Sequence, residues 1–96
     1  MKMHNPAHPG EVIKELFIEE LDISERYLAS KLKVSPASLN RLLNKKSNLS
    51  PEMALRLSKT LGRSAESWLA LQDQYSLWVA SKNINLDEVE KLDISA

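Results

Sequence analysis

Apolar positions recur along this chain at helical spacing, with no sustained alternation of the kind a strand would need. From Pro9 onward, Val12, Ile13, Leu16, Phe17 and Leu21 return every three or four residues, which predicts a first helix from about Pro9 to Leu21. Ser24 stands before a stripe of Leu28, Ala29 and Leu32, so a second helix opens on a serine cap. Lys33-Val34 reads as a tight turn. Ser35-Pro36 and Ser50-Pro51 then repeat one device. The serine oxygen accepts from a free amide of the first turn, and proline at the first helical position loses no hydrogen bond. The third helix carries Leu39, Leu42 and Leu43 inward; the fourth carries Met53, Ala54, Leu57 and Leu61 and stops at Gly62. Ser64 opens a longer fifth helix, SAESWLALQDQYSLWVASK, and the tail NINLDEVEKLDISA allows either one more short helix or a loose end.

This pattern predicts an all-α, compact five-helix domain. Residues 1–8 are expected as an N-terminal arm, 9–82 as the folded unit and 83–96 as an acidic tail, with no repeat and no dividing linker. Composition agrees: 96 residues, 43% hydrophobic and 27% charged, suit one globular domain. Five aromatics and two glycines are too few for a sheet sandwich. The start, MKMHNPAHPG, has no apolar run of a secretory signal, and no stretch reaches membrane-spanning length, so the cytoplasm is the expected location.

Charge is unevenly distributed along the chain. The formal net charge is zero, yet residues 1–30 sum to −3, residues 31–63 to +7 and residues 64–96 to −4. The central block holds Lys31, Lys33, Arg41, Lys45, Lys46, Arg56, Lys59 and Arg63 against Glu52 alone. Such a local field favours a polyanion partner, whatever the total.

The block contains the second and third helices. Small Ala29, Val34 at the turn, and Leu39 and Leu42 behind the third helix have the spacing of a helix-turn-helix. The outer face of the third helix then offers Ser35, Pro36, Ala37, Ser38, Asn40, Arg41 and Asn44. Short or planar groups in front let the helix press close to base edges, and Arg41 one turn deeper can fork onto a guanine. Pro36, Ala37, Ser38, Asn40 and Arg41 are therefore the expected base-reading residues. Lys45 and Lys46 at the helix exit, with Ser24, Ser35 and Asn44, are the expected phosphate contacts.

Catalysis finds no support. The chain lacks cysteine, a glycine-rich phosphate loop, a plausible triad and carboxylates at metal spacing, so an enzyme is not expected, nor any cofactor. His4 and His8 are four apart but separated by Pro6, which denies them a shared helix face, and no metal site is expected. In the fifth helix Tyr75, Trp78 and Val79 exceed what so small a domain can bury alone. They are the expected two-fold dimer contact.

Three stretches, HPGEVIKELFIEEL, YLASKLKVSPASLNRLLN and LSPEMALRLSKTLGRSAESWLALQ, resemble the HigA-type antitoxins of the phage-repressor-like (Xre/Cro-type) helix-turn-helix family. The resemblance spans about residues 8–80. It implies a lambda-repressor-like five-helix fold, a homodimer, a palindromic double-stranded DNA operator, and a partner toxin of the RelE-like, mRNA-cleaving type. It places Pro36, Ala37 and Arg41 where the family reads bases, and Asn44 and Lys46 where it touches phosphates. The acidic face of the first helix (Glu11, Glu15, Glu19, Glu20) and the acidic tail are candidate surfaces for a basic ribonuclease. A solitary or phage-derived repressor without a toxin is the alternative. Two departures stand out. The family usually has glycine where this chain has Lys45, and often at Lys33. Lysine there implies either altered loops or a charge carried at some cost in stability. Glu25, opening the second helix, adds a charge that repels DNA.

Overall fold

In the computed structural model residues 5–94 are described, and among these the regular structure is helical. Helix α1 starts at Pro9–Ile13 and runs on through a π-helical stretch, Lys14–Glu19. It is followed by α2 (Glu25–Leu32), α3 (Pro36–Leu43), α4 (Pro51–Leu61) and α5 (Ala65–Asn83), then a single 3-10 turn at Leu86–Glu88. Residues 89–94 carry no regular structure.

Four helices begin with the same chemistry. Ser24, Ser35, Ser50 and Ser64 each accept from the backbone amide three residues on, at 3.0, 3.1, 3.1 and 3.1 Å. Helix α1 begins differently. His8 Nδ1 accepts from the Gly10 amide at 2.9 Å, while Glu11 Oε1 accepts from the His8 amide at 3.2 Å, a capping box with an imidazole in the place of a hydroxyl. His8, expected at the end of an arm, is 1% exposed and lies edge-on to Tyr75 at 4.9 Å.

Three of the helix ends share a second device. At the end of α3, the Lys46 amide bonds to the Arg41 carbonyl (2.8 Å) and the Lys45 amide to Leu42 (3.1 Å). Val34→Ala29 and Lys33→Ser30 do the same after α2, and Ile23→Ile18 and Asp22→Glu19 after the first helix. Each pair is a Schellman closure, whose turning residue must be left-handed. The turning residues are Asp22 (φ 53°), Lys33 (φ 59°) and Lys45 (φ 62°). The loops at Lys33 and Lys45 thus keep the glycine geometry with a lysine in it.

The core joins Ile13, Leu28, Ala29, Leu32, Leu39, Leu42, Leu43, Leu49, Ala54, Leu57 and Trp68. Helix α3 packs on α1 and α2, and α5 packs on α4 and α1. Ala29 is fully buried against this contact, as its size suggested. Gly10 is needed for close approach: a Cβ there would run into the Leu42 carbonyl oxygen and lie 3.0 Å from Leu43 Cα. Gly62 is needed for its backbone (φ 85°), since a Cβ would meet nothing. One expectation is corrected. Leu16 and Leu21, part of the predicted apolar stripe of the first helix, are each 58% exposed. The π-helical stretch carries more residues per turn, which shifts the phase so that Phe17 keeps its expected place against the core and Ile18 joins it.

Candidate nucleic-acid interface

Helix α3 is held at its back by Leu39, Leu42 and Leu43, all buried, and everything between them faces outward. Pro36, Ala37, Asn40 and Arg41 are exposed, with Ser35 at the leading end, and Ser38 is half-buried. The five sequence-predicted base readers therefore lie on the side of α3 away from its buried leucines. A short hydrogen-bond chain fixes that face from within: Ser35 Oγ donates to Ser38 Oγ (3.0 Å), and Arg41 Nη2 donates to the same oxygen (3.3 Å). Arg41 is parked on its own helix with its remaining donors free to fork outward.

The residues expected to touch phosphate divide into two groups. Ser24 sits at the start of α2, and its neighbour Glu25 accepts from Asn40 Nδ2 at 3.1 Å, so the α2 N-terminus lies beside the reading face. Asn44, Lys45 and Lys46 lie past the far end of α3. Asn44 Nδ2 returns to the Asn40 carbonyl at 3.0 Å. Lys45 Nζ pairs with Glu11 Oε1 at 3.5 Å, so its charge is shared with the acidic α1 side. Lys46 is exposed.

Several residues do work that the charge count hid. Arg56, part of the +7 block, donates from Nη1 to the Leu32 carbonyl (2.9 Å) and from Nη2 to Glu52 (3.1 Å). It closes the C-terminal end of α2 and braces the turn before α3. Gln72 is buried in α5; its Oε1 accepts from the Leu49 amide at 2.8 Å and its Nε2 donates to Asn48 and Ser76. That pins the α3–α4 loop to α5. Only His-Pro-Gly-Glu, with its acid three residues after His8, carried a readable local signal of this kind.

The His8 ring sits below its ordinary pKa of 6.5, chiefly because burial disfavours the imidazolium; nearby Lys45 adds to this, while the Ser47 carbonyl and Glu11 oppose it. Its Nε2 is buried without a well-formed hydrogen bond, although the Ser47 backbone beside the ring favours its protonated form. His4 lies outside the described residues.

On α5, Trp68 is fully buried and donates from Nε1 to the Gly62 carbonyl at 3.0 Å. Tyr75 and Trp78 are half-buried, 6.1 Å apart, and Val79 lies beside them at 36% exposure. Lys82 Nζ stands 4.1 Å over the Trp78 ring.

An exposed, polar, cation-edged helix packed against a capped partner helix is the arrangement of a DNA-reading helix-turn-helix. The helix-turn-helix family model matches residues 13–68, and the chain belongs to that family. It is 39% identical over 92 residues to an uncharacterised HTH-type transcriptional regulator, YddM of Escherichia coli K12, covering 96% of this chain and 97% of the relative. Among solved structures it is similar to the Pseudomonas aeruginosa antitoxin HigA with the higBA promoter (TM-score 0.82, 37% identity, 94% of this chain and 99% of that one). It is also similar to the antitoxin GraA in complex with its operator (TM-score 0.84, 34% identity, 96% of each chain). The sequence resemblance to HigA-type antitoxins and the all-helical repressor-like fold are thus both found.

Proposed function

We propose that this protein is an operator-binding antitoxin that works as a homodimer. Helix α3 enters the major groove, where Pro36, Ala37, Ser38, Asn40 and Arg41 meet base edges. Ser24, Ser35, Asn44, Lys45 and Lys46 contact phosphates on either side. The observation that carries this reading is the exposed face of α3, whose polar groups are fixed by hydrogen bonds before any ligand arrives. Tyr75, Trp78 and Val79 meet their two-fold copies and set two recognition helices about 34 Å apart, one turn of DNA. The partner toxin is a RelE-like mRNA-cleaving enzyme, and the antitoxin both neutralises it and represses the shared operon. The likeness to HigA and GraA supports this reading.

A tagged chain purified from its native locus, followed by mass spectrometry, tests the antitoxin role. A co-purifying basic protein of about 90–120 residues supports it. A clean homodimer that still binds its own promoter favours a solitary repressor, the reading to which the match with a transcriptional regulator over nearly the full length points.

A further inference from the structure

Glu25 stands where a negative charge is unwelcome to DNA, on the first turn of the helix that borders the phosphate backbone. The structure gives it a partner. Asn40 Nδ2 donates to its Oε1 at 3.1 Å, across 15 residues of sequence and from one helix to the other. The other hydrogen bonds of the α3 face run within α3 or to its own cap, three or four residues apart, and so travel with the helix. Among these, Asn40 alone is referenced to a second element.

The chemistry of the pair fixes a direction. An ionised carboxylate only accepts, so the NH2 of the Asn40 amide must face Glu25 and the carbonyl oxygen must face the other way. An unconstrained asparagine amide turns over freely and offers the groove either pattern. Here it offers an acceptor outward, with the second Nδ2 hydrogen beside it.

We propose that Glu25 is a specificity-positioning residue: by holding the Asn40 amide in one orientation, it makes the base pair beneath Asn40 selective for an amino-bearing base. In the major groove the amino groups of adenine and cytosine donate to that acceptor, while guanine O6 and thymine O4 only accept, so they repel the amide oxygen and can meet no more than the second Nδ2 hydrogen. Adenine is favoured over cytosine, because its N7 also takes the second amide hydrogen. Glu25 lowers affinity for all DNA and sharpens the choice at one position. This rests on the reading of α3 as the major-groove helix.

The test is selection of bound sequences from a randomised duplex pool, using the full chain and variants matched for helical circular dichroism. The wild type enriches an amino base at one position, and Asn40→Ala abolishes that preference alone. Glu25→Ala lowers the amino-over-keto ratio at the same position by about 5-fold or more, since a good bidentate pair discriminates by at least that much. Glu25→Gln, which keeps an acceptor oxygen without the charge, retains part of the ratio and binds every duplex about 1.5–5-fold tighter. Glu25→Lys, a donor only, turns the amide over and inverts the preference toward guanine or thymine. Glu25→Gln and Glu25→Lys carry the test should Glu25→Ala not fold. If the Glu25 variants change affinity for all duplexes alike and leave the base preference at the Asn40 position intact, Glu25 is only a charge and the proposal is overturned. If the wild type enriches a sequence that Asn40→Ala does not alter, the proposal falls while DNA reading stands. If the wild type enriches nothing, both fall.

Discussion

Replacing Lys33 by glycine should make this protein more stable, although it deletes a side chain and adds no contact. Lys33 turns the chain out of α2 at φ 59°, with its amide on the Ser30 carbonyl and the next amide on Ala29. An L-residue in this left-handed geometry costs about 1–2 kcal/mol. Glycine avoids that cost but gives back roughly 0.5–1 kcal/mol through the greater freedom of its unfolded chain. The net gain for Lys33→Gly is therefore about 0.5–1 kcal/mol, a rise in Tm of about 2–8 °C for a domain of this size. The Arg56 bonds to the carbonyls of Leu32 and Lys33 reach backbone atoms, so the substitution leaves them intact. Lys33→Ala is the control, because it removes the charge and keeps the Cβ. Urea unfolding followed by the fluorescence of buried Trp68 reports the difference, with an unchanged m-value confirming that the native state is the same. Equal stability of the glycine and alanine variants would refute the backbone argument. Lys45→Gly should gain less, since it also loses the 3.5 Å ion pair with Glu11 between half-exposed side chains, about 0.2–1 kcal/mol. If Lys45 meets phosphate in the complex, that variant binds all duplexes more weakly, with a salt slope shallower by about 0.9.

Three further outcomes follow from the same geometry. Gly10→Ala pushes a methyl group into the Leu42 carbonyl and should cost about 1–3 kcal/mol despite the better helix former, whereas a variant as stable as the wild type would show that α1 can slide off α3. Burial depresses the His8 pKa below 6.5, so its contribution to stability is complete above that value and is lost as pH falls through the folded pKa, the unfolded chain taking up the proton first. Thermal unfolding from pH 7.5 to 5 should show this decline in the wild type and a weaker one in His8→Asn; parallel curves would count against it. Arg41→Ala should cost roughly 1–3 kcal/mol of DNA binding and relax one base pair, while Lys46→Ala weakens all sequences alike and flattens the salt dependence. Identical behaviour of these two variants in a competition titration would remove the division between reading and positioning.

Much of this architecture can be read locally. Ser24, Ser35, Ser50 and Ser64 announce four helices because a cap and its amide lie within one turn. The buried stripe of α3 follows from period alone, and what remains after removing it is the exposed face. Lys33 and Lys45 were recognisable as residues in glycine positions, and the backbone kept the positions. What escaped sequence reading depends on partners far along the chain. Glu25 read as a repulsive charge because its partner Asn40 is 15 residues away, and Arg56 read as a free cation because it reaches back 24 residues to Leu32. Gln72, within a polar Gln-Asp-Gln run, carries no period that marks it as buried. The first helix misled for a different reason: a 3.6-residue period was assumed through Lys14–Glu19, where the winding is π-helical.

Whether α3 reads base pairs is decided by a salt-series titration. Labelled DNA from upstream of the protein's own gene would be titrated by fluorescence anisotropy against a scrambled duplex of equal composition. A base-reading α3 gives binding of both duplexes that weakens with salt, while the upstream DNA stays favoured by a factor of about 10³ or more at physiological salt. Equal affinity for the two duplexes at every salt concentration would contradict it.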